Sequence, residues 1–189
     1  MGRSKEFEEE VVLEKAMHVF WQQGYNNTSM QELVDAMGIH RRSIYDTFGD
    51  KHNLFLLTLD LYETTLEKAI MENLSEKMTI HEQLKIIFSI LINEKSHAGC
   101  FLVNSATELA NVDPLIEEKI QKYFDHEEHQ LFNILLFAQE KNELSAATDI
   151  ETLASYLHNA SVGIRVLSKT TRNIKKLNWI IEQTLSFVQ

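Results

Sequence analysis

Arg41 and Arg42 are the only adjacent arginines in the chain, and three hydroxyls, Ser43, Tyr45 and Thr47, follow within one short stretch. A guanidinium presents parallel N–H donors that fit a phosphate or a guanine edge bidentately. Hydroxyls add single donors to phosphate oxygens. His40 precedes the set, and Lys51 opens the next segment behind Asp50. A cation in the first turn of a helix joins the free amides of that N-terminus, which is a phosphate-anchoring combination. The chemistry on offer is recognition of a nucleic-acid backbone and of base edges.

The elements that must hold these residues can be read around them. Thr28 with Gln31 has the spacing of a capping box. Met30, Leu33, Val34 and Met37 then recur at helical spacing and give one apolar face. Gly38 ends that helix where the chain must turn left-handed. Ile39, Ile44 and Phe48 plug a second helix into the core, leaving His40, Arg41, Arg42, Ser43, Tyr45 and Thr47 outward. Two short helices about a tight glycine turn form a helix-turn-helix, whose second helix enters a DNA major groove. A plain helical hairpin with a solvated arginine pair is the bland reading. Turn, plug residues and donors coinciding in one stretch weigh against it.

The residues Ala16, Phe20, Gly24-Tyr25, Thr28-Ser29-Met30, Ala36-Met37-Gly38-Ile39, Ser43-Ile44-Tyr45, Phe48 and Lys51-His52-Asn53-Leu54 together resemble the N-terminal domain of the TetR family of one-component transcriptional regulators. The resemblance covers roughly residues 7 to 60. It implies that Thr28, Ser29 and Gln31 reach phosphates, that Arg41, Arg42, Ser43 and Tyr45 work in the groove, and that Lys51 anchors the backbone. It also implies a cytoplasmic homodimer on a palindromic operator, repressing until a small-molecule inducer binds. Two residues depart from the pattern. His40 replaces a small polar cap and brings a titratable group to the DNA contact. Asp46 puts a carboxylate on the outward helix, unfavourable to phosphate and suited to a cytosine amino group.

Composition bounds the rest. A chain of 189 residues with one proline and six glycines reads as nearly all helix, with room for a sizeable core. No apolar stretch approaches the roughly 20 residues of a membrane helix. Met1-Gly2-Arg3-Ser4-Lys5 runs straight into Glu6, Glu8, Glu9 and Glu10, unlike a secretory signal. The single cysteine, Cys100, fits a reducing cytoplasm. Net charge is −10, and residues 1–52 set six Lys and Arg against nine carboxylates. DNA binding must therefore rest on charge placement and not on bulk charge.

The expected fold is all-α with about nine helices: a three-helix DNA-binding domain over residues 1–52, then a ligand-binding and dimerisation domain over 53–189. The first helix runs from about Lys5 to Gln23, burying Val12, Leu13, Ala16, Val19 and Phe20. The fourth starts at Lys51 and passes Leu74 without a linker, joining the two parts. Thr79 with Glu82 and Thr148 with Glu151 mark further capping boxes, Cys100–Ala110 a short apolar helix, and Asn173 the start of the last one. Asp113-Pro114 opens a long helix, with Asp at the cap and Pro at the first helical position. The last two helices are apolar beyond one face. Tyr156, Ala160, Gly163, Ile164, Leu167, Leu177, Ile181 and Leu185 are therefore assigned to a four-helix dimer interface, with Gly163 permitting close approach.

Phe88, Phe101, Asn104, Glu108, Tyr123 and Tyr156 are the candidate inducer-pocket residues, aromatic walls with a few polar groups. Cys100, with Lys95 and His97 before it, has the setting of a reactive thiolate at a helix start and is a candidate redox or electrophile sensor. An enzyme finds little support. His126 and His129 flank Glu127-Glu128 without His-Glu-x-x-His spacing, and Glu94 to His97 is the only Glu-x-x-His pair. No phosphate loop or Gly-x-Ser-x-Gly appears, and no cofactor or metal is expected. The rival class is a helical protein-binding adaptor without DNA affinity, for which Arg41 and Arg42 would be dispensable.

Overall fold

The computed structural model describes residues 8–92 and 98–188. Among these residues all regular structure is helical: α1 Glu9–Gln23, α2 Met30–Met37, α3 Arg41–Phe48, α4 Lys51–Asn73, α5 Ile80–Ile92, α6 Phe101–Leu109, α7 Pro114–Glu140, α8 Ile150–Thr170 and α9 Ile174–Leu185. The expected start of the first helix at Lys5 lies outside the described residues, and so do Lys95, His97 and the Glu94–His97 pair.

Local chemistry sets the helix ends. Asp113 accepts from the amides of Leu115 and Ile116, and Pro114 takes the first helical position of α7, where no amide donor is needed. Thr79 and Glu82 satisfy each other's amides, at 3.3 Å from Glu82 N to Thr79 Oγ1 and 2.8 Å from Thr79 N to Glu82 Oε2. Asn173 caps α9 by accepting from Lys176 N. Gly38 ends α2 in the left-handed region at φ 71°, ψ 25°.

Two caps differ from expectation by one residue. The box on α2 is Ser29 with Glu32, not Thr28 with Gln31. Both pairs fit the same spacing, but the ionised Glu32 is the stronger acceptor for Ser29 N. At α8 the cap is Asp149, accepting from Thr152 N, and not Thr148 with Glu151. In addition, α4 stops at Asn73, where Leu74 turns extended, and does not run past Leu74.

The buried side chains form two clusters. The first joins Val12, Ala16 and Phe20 of α1 to Leu33, Ile44 and Phe48, and extends beyond residue 52 through Phe55, Phe101 and Ile116. Phe55 is its hub, with ring centroids 5.1 Å from Phe20, 5.0 Å from Tyr25 and 5.5 Å from Phe101. Leu13 and Val19 are only partly buried, and Met17 takes a core position beside them. The second cluster gathers α5, the C-terminal half of α7, α8 and α9 around Phe88, Leu135, Leu157 and Ile181. Helix α4 serves both: Leu54, Phe55 and Leu59 lie in the first, while Leu66 and Ile70 pack on the second. A rigid helix shared by two cores makes a shift in one felt in the other.

Candidate functional site

Helix α3 carries its charge outward because its apolar residues are consumed inward. Ile44 is 0% and Phe48 4% exposed, which turns Arg41, Arg42 and Tyr45 to solvent. Each arginine rests on a different acceptor. Arg41 Nη2 lies 3.4 Å from Gln31 Oε1, and Gln31 donates in turn to Asp35. Arg42 Nε lies 3.5 Å from Asp46 Oδ2, one helical turn on. His40 is exposed and makes no side-chain cap, so the first amides of α3 take no bond from it. Ser43 and Thr47 are half-buried.

Two expected phosphate contacts are placed otherwise. Thr28 is buried, and its hydroxyl donates to Gly24 O at 2.6 Å, closing the α1–α2 turn. Lys51 folds back: Nζ donates to Tyr25 O at 2.6 Å and lies over the Tyr25 ring. Burial lowers its pKa, against the attraction of Glu108 and Glu32.

That same turn is gripped by α6. Glu108, assigned above to the pocket, accepts from Tyr25 N at 3.0 Å and Asn26 N at 2.8 Å. Gly24 is required here twice over. Its φ is +82°, and a Cβ would stand 2.7 Å from Glu108 Oε2. At the other end of α6, Trp21 Nε1 donates to Gly99 O at 2.9 Å. His52, near the start of α4, meets the α7 cap Asp113 at 2.8 Å. Helices α6 and α7 thus hold the N-terminal helices through the end of α1, the α1–α2 turn and the start of α4, which sequence spacing could not reveal.

A cavity of about 210 Å³ opens between α4, α5, α7 and α8. Ile70 and Met71 of α4, Leu74 just beyond it, and Ile87, Phe88 and Leu91 of α5 give its apolar walls, with Leu131 and Ile134 of α7. Glu127, Gln130, His158, Ser161 and Arg165 bring polar groups to it from α7 and α8. Of the six expected pocket residues only Phe88 lines it. Phe101 packs into the first cluster against Phe55 and Tyr62. Asn104 donates to Ala98 O and accepts from Lys169, Glu108 holds the turn, and Tyr123 donates to Asp60. Tyr156 faces outward beside Phe187. Phe101 and Tyr123 serve packing because the elements beside them leave no space, whereas Tyr156 lies on the surface. The one signal for the missed residues is a charged Arg165 on the inward stripe of α8, between Ile164 and Ser168.

Arg165 is 2% exposed and joins the cavity to Cys100. Nη2 pairs with Glu127 Oε2 at 2.9 Å, and Nη1 lies 3.7 Å from Cys100 Sγ. Burial opposes its charge, but the Cys100 sulfur and the Glu127 carboxylate hold it firmly protonated. Burial likewise opposes ionisation of Glu127, and His158 and Arg165 more than reverse it, lowering its pKa. Tyr62, whose pKa is raised by burial and then by Cys100, completes the cluster. Cys100 is 3% exposed and stands at the cap of α6, not within its first turn. The cation at its side is Arg165, from a helix 65 residues away. Among the described residues no group of three or more His, Cys, Asp or Glu is arranged for a metal ion. His126 turns to Glu67 and His129 stacks on Phe132.

The assigned dimer residues separate into two sets. Ile164, Leu177, Ile181 and Leu185 are at most 2% exposed, consumed by the second cluster, and offer a partner no surface. Tyr156 and Leu167 are exposed on α8, Ala160 is half-buried, and Val166 is 48% exposed. Gly163 is exposed too, and a Cβ there meets nothing within 4 Å in the same chain. No helix of the described residues is long and apolar enough to cross a membrane.

The chain is matched by two family models. Residues 12–58 match that of bacterial regulatory proteins, tetR family, and residues 79–184 that of the tetracyclin repressor-like C-terminal domain. An uncharacterized HTH-type transcriptional regulator of Bacillus subtilis (strain 168), YezE, is 35% identical, covering 98% of this chain and 98% of that protein. The HTH-type transcriptional repressor ComR of Escherichia coli (strain K12) is 29% identical, covering 97% of this chain and 90% of its own. A cysteine mutant of the TetR family regulator CifR, complexed with 26-base-pair double-stranded operator DNA, superposes with a TM-score of 0.88. It is 23% identical and covered in full by this chain, as this chain is by it.

Proposed function

Because the chain belongs to the TetR family of bacterial regulatory proteins, a family of DNA-binding transcription regulators, we propose that it represses transcription as a cytoplasmic homodimer on a palindromic operator. The observation that carries this reading is α3, whose Ile44 and Phe48 are spent on the core while Arg41, Arg42 and Tyr45 are exposed to reach a groove. The contact set is His40, Arg41, Arg42, Ser43, Tyr45 and Thr47, with Ser29 and Gln31 at the start of α2. Lys51 and Thr28 act behind it by fixing the turn. With a net charge of −10, attraction for DNA rests on this patch, and affinity falls with added salt in proportion to the phosphates it contacts. The outward residues of α8 supply the dimer contact, and Gly163 lets two copies approach closely. The repressor ComR supports the sign of regulation.

Release follows from the path between cavity and turn. A small-molecule inducer among α4, α5, α7 and α8 shifts α6, and α6 holds the α1–α2 turn through Glu108. Thiol modification at Cys100 is a second route, supported by the Arg165 guanidinium 3.7 Å from its sulfur. Selection of bound duplexes from a random DNA pool tests the first part, with Arg41→Ala/Arg42→Ala alongside. An enriched palindrome, lost in the variant, is expected. No enrichment at low salt from folded protein would return the chain to the adaptor class. For the thiol route, release by an electrophile that persists in Cys100→Ser would exclude Cys100 as its target.

A further inference from the structure

We propose that the cavity between α4, α5, α7 and α8 takes a small neutral molecule with an apolar body and one carbonyl-type oxygen, bonded by Arg165.

Size gives the body. An apolar cavity of about 150 Å³ accommodates benzene. At about 210 Å³ this one accommodates a single ring with a short substituent. Ile70, Leu74, Ile87 and Phe88 offer that ring no polar atom, and Met71, 67% exposed, stands where the cavity meets solvent.

An imbalance of donors over acceptors gives the oxygen. Arg165 brings five N–H donors into a site where it is 2% exposed. Its acceptors are Glu127 Oε2 at 2.9 Å, Ser161 Oγ at 3.4 Å and Cys100 Sγ at 3.7 Å. Arg165 Nε has no hydrogen-bond partner, while His158 Nε2 is held only by its 3.4 Å ion pair with the same Glu127 oxygen. Arg165 Nε is buried and meets no acceptor of the protein. Unpaired buried donors are exceptions in folded proteins and point to a missing acceptor. The guanidinium reaches that acceptor by releasing its two long contacts, to Ser161 and Cys100, while keeping Glu127.

Charge decides the kind of oxygen. Glu127 already neutralises Arg165, and Glu128 adds a second carboxylate 3.7 Å from His158 Nδ1. The site has spare donors without spare positive charge. A carboxylate ligand would enter an apolar cavity uncompensated, whereas a ketone, ester or amide oxygen takes the donor at no charge.

The proposal rests on the operator-binding reading only for its effect at DNA; binding is measured without DNA. Full-length protein is titrated calorimetrically with acetophenone, ethylbenzene and benzoate. Acetophenone should bind about tenfold more tightly than ethylbenzene, the worth of one buried hydrogen bond, and more tightly than benzoate. Met71→Trp, an exposed site that leaves the core intact, should weaken both neutral probes. Arg165→Met should level them, and if it fails to fold the wild-type ranking still decides. Equal binding of acetophenone and ethylbenzene, a preference for benzoate, or no binding by any probe would each overturn the proposal. If no probe binds but the protein still selects a duplex, the operator reading stands. The expected ranking from protein that selects none would fail that reading alone.

Discussion

Replacing Glu108 by glutamine isolates the grip of α6 on the α1–α2 turn. The carboxylate accepts from two amides, Tyr25 N at 3.0 Å and Asn26 N at 2.8 Å. A hydrogen bond to a charged group contributes about 1.5–3 kcal/mol, and a neutral one about 0.5–1.5 kcal/mol. Glutamine keeps one oxygen and turns a donor toward the other amide, so one bond is lost and one becomes neutral. Partial exposure screens the charge, and the net loss comes to about 1–3 kcal/mol. Amide hydrogen exchange followed by NMR reads this directly. Exchange at Tyr25 and Asn26 should accelerate about 5- to 150-fold, with α3 amides less affected. At about 2–4 °C per kcal/mol for a chain of this size, Tm should fall by roughly 2–12 °C. Affinity for a selected duplex should weaken too, since α2 and α3 lose a fixed reference on α6. Wild-type exchange at both amides together with a wild-type Tm would refute α6 as the holder of this turn.

Three further outcomes are expected. Gly38→Ala should cost about 1–2 kcal/mol from backbone strain alone, because its φ is +71° and a Cβ meets nothing within 4 Å. Gly38→Asn should recover most of it in urea melts; equal losses would point to a packing cause. The acid limb of stability follows from Asp113, where burial raises the pKa but the Ile116 amide and His52 outweigh it, leaving it lowered. A depressed folded pKa gives stability that is present above the unfolded value near 4 and lost as pH falls through the folded one. Tm should therefore drop below about pH 4, and Asp113→Asn should lower Tm at pH 6 while flattening that drop; an unchanged slope would contradict it. Val166→Glu, at a position 48% exposed, should leave the protomer folded and shift sedimentation from dimer to monomer. Unaltered sedimentation would move the dimer contact off this face of α8.

How much of this was legible in the sequence depends on the range of the interaction. Features built within four or five residues could be read directly. Gly38 as a left-handed stop, Asp113-Pro114 as a helix start, and Ile44 and Phe48 as plugs all act within one turn of helix. Because the plugs fix which side of α3 is inside, they also fix Arg41, Arg42 and Tyr45 outside. Local rules failed where two neighbours satisfied them equally, as with Thr28–Gln31 against Ser29–Glu32, which only the acceptor strength of the carboxylate resolves.

The sequence by itself determined an all-helical chain, the turn between α2 and α3, and the outward face of α3, since helical periodicity and capping are local properties of the residues. Only the tertiary structure decided what lines the cavity and what connects it to the turn. Arg165 meets Cys100 across 65 residues, and Glu108 meets Asn26 across 82. Phe101 and Tyr123 look no different from Phe88 in the sequence. Their roles separate only once α4, α5, α7 and α8 pack with a gap beside one of them and none beside the others. Burial and partnership across such distances belong to the packing of whole helices, which no short window of residues contains.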